Sequence, residues 1–108
     1  MTAALERNPK LVWRDEPEVR EEILRAQERG EEVEDRGWVI VIDGGTMHEL
    51  NLLAGEIWCL ADGTRDAAAI AAELAQRYDA PPGDIQADVE TFAADCFTRG
   101  WFRLREEF

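Results

Sequence analysis

Serine is absent from this chain of 108 residues, histidine occurs once and cysteine twice. Without serine, no Ser-His-Asp triad can be assembled. One histidine, His48, and two cysteines as far apart as Cys59 and Cys96 cannot build a Cys/His metal cage from a single chain. Nor do they form a CxxC pair or a disulfide framework, so both are expected as reduced thiols on apolar helical faces. Long apolar runs are missing too. No stretch approaches the roughly 18 residues that a membrane span needs, and residues 1–7 lack the apolar segment of a secretion signal. These absences predict a soluble, cytoplasmic domain. Basic residues are scarce: 12 Lys and Arg stand against 24 Asp and Glu, a formal net charge of -12. Residues 1–36 and 37–108 are both acidic on balance. Such a surface has no footprint for a phosphate backbone, and an anionic membrane repels it. A basic peptide, or a basic patch on a protein, suits it better.

What is present is enough for one core. Hydrophobic residues make up 45% of the chain, which excludes a disordered chain at this length. Residues 1–9 read as a flexible arm ending at Asn8-Pro9, ahead of a single domain over 10–108. Lys10–Asp15 alternates weakly, like a strand. Pro17 suits a first helical turn, and Val19, Ile23 and Ala26 recur on one stripe, with acids near the start and Arg25 and Arg29 near the end. This predicts a helix over 17–29, followed by an acidic linker over 31–36. Trp38-Val-Ile-Val-Ile42 is β-branched and apolar, the strongest strand pattern here. Asp43-Gly44-Gly45 favours a hairpin turn into a second strand, Thr46–Leu50. Asn51 can cap the helix that follows. Three helical segments come next. Leu53, Ile57 and Leu60 mark the first, and Ala67, Ile70, Ala71, Leu74 and Tyr78 the second, with Thr64 as its expected cap. Ile85, Val89, Phe92 and Cys96 mark the third, which ends at Gly100 before an apolar tail of Trp101, Phe102 and Leu104. The order predicts an α+β, winged-helix-like fold. A small antiparallel sheet of about three strands would pack on a three-helix bundle, with one extra helix inserted near the N-terminus.

Catalytic groupings are hard to find in this pattern. Gly44-Gly45 lacks the context of a phosphate loop, and acids on helical outer faces carry no signal. A binding role fits better. A short sheet has edges, and an open edge accepts another chain through backbone hydrogen bonds, with flanking side chains supplying specificity. Thr46–Leu50 is the expected edge, with His48 as a polar contact. The third helix is the expected wall, where Asp88 and Asp95 would suit a peptide carrying Lys or Arg and Thr91 lies beside them.

The stretch His48-Glu-Leu-Asn-Leu-Leu-Ala-Gly-Glu-Ile-Trp58, then Leu60-Ala-Asp-Gly-Thr-Arg65, resembles the PqqD family. So do the Ile70, Leu74, Tyr78 spacing, the Asp88, Val89, Phe92 pattern and the Arg99-Gly100-Trp101 exit, so that the match covers about residues 37–102. The resemblance implies a RiPP recognition element, a domain without catalysis and without metal or organic cofactor. It would bind the leader of a ribosomally made precursor peptide as an added strand and deliver it to a radical-SAM enzyme with a SPASM-type domain. Carried onto this chain, the implied contacts are Thr46, Met47, His48, Glu49 and Leu50 on the strand. On the helix they are Ile85, Asp88, Val89, Thr91, Phe92 and Asp95. The insertion over 17–36 departs from the family pattern, in which a short turn joins the first two strands. A long linker between paired strands also permits a homodimer by strand exchange. Two other classes remain as alternatives: a winged-helix nucleic-acid-binding or regulatory domain, against which the charge argues, and a structural subunit of a larger enzyme.

Overall fold

The computed structural model describes residues 3–106. Its elements run β1 (Ala3–Arg7), β2 (Val12–Asp15), α1 (Pro17–Glu28), β3 (Val39–Asp43), β4 (Thr46–Leu50), α2 (Leu52–Leu60), α3 (Ala67–Tyr78), α4 (Pro82–Arg99) and β5 (Phe102–Glu106). They fall into two compact units, Pro9–Glu56 and Met1–Asn8 with Ile57–Phe108. The expected α+β class is what forms. Among the described residues no helix is long and apolar enough to cross a membrane.

In the unit Pro9–Glu56, β2, β3 and β4 form an antiparallel sheet with β3 in the centre. The β-branched run of β3 fits that place, with Val39 and Val41 fully buried. The turn between β3 and β4 is two glycines, Gly44 at φ 58° and Gly45 at φ 82°. A two-residue turn matching the right-handed twist of a hairpin needs positive φ at both positions, which glycine adopts without a steric penalty. It fixes the register at Asp43 opposite Thr46, and hence Val41 opposite His48 and Val39 opposite Leu50. Helix α1 opens on Pro17 and buries Ile23 and Ala26 completely.

An ion pair ties down the inserted helix. Arg20 donates from Nε to Glu56 Oε1 at 2.8 Å and from its second arm to Oε2 at 3.3 Å, and its guanidinium lies 5.7 Å from the Trp38 ring centroid. Glu56 is only 3% exposed, and a carboxylate at that depth needs pairing of this kind. Trp38 Nε1 donates to the Leu52 carbonyl at 3.2 Å. Gly55 makes room for that ring, since a Cβ there would sit 2.4 Å from Trp38 Nε1. Asn51 caps α2 as expected, accepting from Ala54 N at 3.0 Å.

In the other unit, α3 and α4 bury Ile70, Leu74, Val89 and Cys96. Trp58 stacks on Phe102 at 5.6 Å and meets Trp101 edge-on at 5.9 Å, a favourable geometry for buried rings. Two expectations are corrected here. Residues 1–9 contain a strand, not only an arm: β1 pairs antiparallel with β5, Leu5 facing Leu104. The far edge of β1 is closed by the loop after α2, through Leu5 N to Arg65 O at 2.8 Å, Gly63 N to Leu5 O at 2.9 Å and Arg7 N to Ala61 O at 3.0 Å. The Arg7 guanidinium also donates to the Trp58 and Cys59 carbonyls in the last turn of α2, where side chains commonly supplement the helix's own hydrogen bonds. The cap of α3 is Asp66, accepting from Ala69 N at 2.8 Å, and not Thr64. Thr64 is engaged one turn earlier, where both its hydroxyl and its backbone N–H donate to Asp62 Oδ1. These two hydrogen bonds from Thr64, the hydroxyl's first, hold the Asp62 carboxyl below its ordinary pKa, helped by the nearby Arg65 and Arg7 charges and opposed by partial burial.

Candidate functional site

The pleat of β4 decides which backbone groups are available. In an antiparallel strand a residue turns its N–H and C=O to the same neighbour, and successive residues alternate sides. The two-residue turn closes on Asp43 and Thr46, the hydrogen-bonded pair of such a hairpin, so Ile40 and Ile42 turn toward β2; Trp38, just before β3, is split, its C=O accepting from Glu16 N at 2.8 Å and its N–H donating to Leu50 O at 3.0 Å. Val39, Val41 and Asp43 therefore turn toward β4 and engage Leu50, His48 and Thr46. The remaining β4 residues, Met47 and Glu49, point their N–H and C=O groups outward from the sheet. Strand β4 lies at one edge of this sheet and β2 at the other, so the outward groups of β4 face no further strand. They form a short template onto which an extended chain can dock.

Side chains divide by the same alternation. Thr46, His48 and Leu50 share one face and Met47 and Glu49 the other. Leu50 is buried, His48 half-buried, and Thr46, Met47 and Glu49 are exposed. All five expected strand residues thus lie on one edge strand. The expected helix residues lie together on α4 in the other unit, in unlike environments. Val89 and Ile85 are buried and pack in the core. Phe92 is half-buried, with its ring 5.9 Å from Phe102. Asp88 and Thr91 are exposed. Asp95 is exposed but shares its charge with Arg99, whose Nε donates to it at 3.0 Å.

A feature the sequence did not reveal is a groove of about 430 Å³ beside α4. Ala93, Ala94, Phe97, Leu5 and Leu104 form its apolar lining, with Glu90 at its border. It depends on β1 and β5, whose pairing joins opposite ends of the chain. Cys96 is fully buried and its thiol is pushed up to about 12, by burial first and by the Asp95 carboxylate second. It stays protonated at neutral pH and is a packing residue, not a nucleophile. Among the described residues no three His, Cys, Asp or Glu side chains are grouped to hold a metal ion.

The family model for coenzyme PQQ synthesis protein D (PqqD) matches residues 36–101, more than half of the chain and the whole run from β3 through α4. The chain belongs to the PqqD family. Over 59 residues it is 44% identical to the PqqA binding protein of Pseudomonas paraeruginosa (strain DSM 24068 / PA7), a match covering 55% of this chain and 63% of that protein. It is 42% identical to the PqqA binding protein of Pseudomonas aeruginosa (strain UCBPP-PA14) over the same span. The chain therefore matches just under two-thirds of the length of these curated relatives. Among solved structures it resembles the solution NMR structure of the PqqD truncation of Methylobacterium extorquens PqqCD, described as a functional and stand-alone RiPP recognition element. The TM-score is 0.61 at 19% identity, over 92% of this chain and 87% of that one. At that identity the likeness concerns the fold. The PqqD match begins after α1, so the helix anchored by Arg20 lies outside the matched segment.

Proposed function

We propose that this chain is a non-catalytic peptide chaperone of the cytoplasm. It takes up the leader of a ribosomally synthesised precursor peptide as an added strand on β4 and presents it to a radical-SAM modifying enzyme. The observation that carries this reading is the open edge of β4, where Met47 and Glu49 turn their backbone groups away from β3. Membership of the PqqD family supports it, as do the two Pseudomonas relatives, each a PqqA binding protein. The radical-SAM partner comes from the family resemblance.

The chemistry asked of the chain is geometric. A disordered peptide loses conformational freedom when it binds, and a preformed edge offsets part of that loss with donors and acceptors already in register. Bound beside an enzyme, the peptide gains effective concentration without any catalytic group on the chaperone. A second, separately testable part of the proposal, taken from the resemblance, assigns Ile85, Asp88, Val89, Thr91, Phe92 and Asp95 of α4 to the leader.

The test is an amide NMR titration with the leader of a precursor peptide encoded beside this gene. Concentrated shifts in 46–51 support strand addition, and shifts in 85–97 support the role of α4. A leader that leaves both segments unmoved at high concentration overturns the reading in favour of a subunit that docks on the enzyme alone.

A further inference from the structure

The sheet face that carries Met47 is built of two rows running across the strands. Register aligns Val12, Ile42 and Met47 in the first, and Arg14, Ile40 and Glu49 in the second. The first row is apolar and open to solvent: Val12 is 65% exposed, Ile42 38% and Met47 61%. In the second row Ile40 is buried, while Arg14 and Glu49 are exposed. Arg14 and Glu49 stand on the two outer strands with Ile40 between them, their strands about 9–10 Å apart. Glu49 therefore ends its row as a charge at the open edge, and Met47 ends the other as an uncovered apolar side chain. A strand added to β4 prolongs each row by one side chain, because directly opposed residues share a face.

We propose that the leader taken up by β4 is read on this face at two positions two residues apart, by a bulky apolar side chain in register with Met47 and a Lys or Arg in register with Glu49. This rests on the strand-addition reading above. The apolar residue covers the exposed flank of Met47 and completes the Val12–Ile42–Met47 stripe. The cation meets a carboxylate on a chain of net charge -12, where an acidic leader would be repelled. Strand direction follows from the order. Glu49 lies C-terminal to Met47, so a parallel leader carries apolar-x-basic and an antiparallel leader basic-x-apolar.

The test uses the full chain, labelled for amide NMR, and four synthetic ten-residue peptides on a threonine and valine background. They carry Leu-x-Lys, Lys-x-Leu, Leu-x-Glu and Glu-x-Leu. One of the Lys peptides is expected to bind roughly two- to fivefold more tightly than its Glu counterpart, the range of an opposed cross-strand charge pair. Glu49→Lys is expected to invert that preference, and Met47→Thr to weaken binding of the preferred leucine peptide. If β4 amides shift equally with all four peptides, or Glu49→Lys leaves the order unchanged, this inference fails while strand addition stands. If no peptide moves the β4 amides, both fail together.

Discussion

Met47→Pro separates binding from folding because of where its N–H points. The hydrogen bonds that hold β4 to β3 belong to His48 and its neighbours on the inward side, opposite Val41, Val39 and Asp43. Proline at 47 removes an outward donor and leaves those bonds in place, one of the few strand positions proline tolerates. In the complex, the leader's carbonyl would face a pyrrolidine ring instead of an N–H. An unsatisfied, partly desolvated carbonyl costs about 1–3 kcal/mol, or roughly 5- to 150-fold in affinity. His48→Pro is the contrasting control. It deletes an inward donor, leaves the Val41 carbonyl unpaired at a similar cost of about 1–3 kcal/mol, and is expected to appear as lost stability. Calorimetric titration of the leader, with thermal unfolding of each variant followed by circular dichroism, reads both quantities. A Met47→Pro protein that unfolds near the wild-type temperature and binds the leader with undiminished affinity refutes strand addition at β4.

Three further outcomes follow from the geometry. Arg20→Met removes this ion pair from the buried Glu56, and urea unfolding should show a loss of about 3–5 kcal/mol; wild-type stability would mean that the pair does not anchor α1. Cys96, buried and with its thiol raised to about 12, should resist alkylation at pH 8 in the native protein while half-buried Cys59 reacts first; peptide mass spectrometry after brief iodoacetamide treatment distinguishes them. Asp62 has a folded pKa below its ordinary 3.8, so its contribution to stability is complete above the unfolded value and fades as pH falls through the lower folded one. Asp62→Asn should therefore melt below wild type at pH 5–7, the gap should close below pH 4, and a gap that persists into strong acid would assign the difference to another cause.

The readability of this chain depended on how far apart the partners of each element lie. The β3–β4 hairpin was legible because Val39–Ile42 is β-branched and the glycine pair specifies the turn locally. α3 and α4 were legible from the spacing of Ile70, Leu74 and Val89, Cys96. β1 was not: Ala3-Ala-Leu-Glu-Arg7 carries no β-branched residue, and its partner lies almost a full chain length away. β5 showed only as an apolar tail for the same reason. The α3 cap differs from the expectation because Thr64 and Asp66 are both favourable cap residues, Asp the better of the two, and the Asp62 turn takes Thr64. At the site, the strand residues were legible as an edge, whereas the burial of Ile85 and Val89 needed the packed α4. The outward direction of the Met47 and Glu49 backbone needed the register of all three strands.

The pairing of β1 with β5 also has a kinetic side. Joining Ala3 to Glu106 closes a loop of about a hundred residues, and that closure entropy must be overcome before any ribbon contact is rewarded. The β2–β3–β4 sheet, by contrast, lies within one continuous stretch, Pro9–Glu56, with no comparable closure to wait for. Its hairpin can form early and locally, while the ribbon completes late and opens first. Amide exchange would then find β1 loosening on its own, with the β3–β4 ladder still protected.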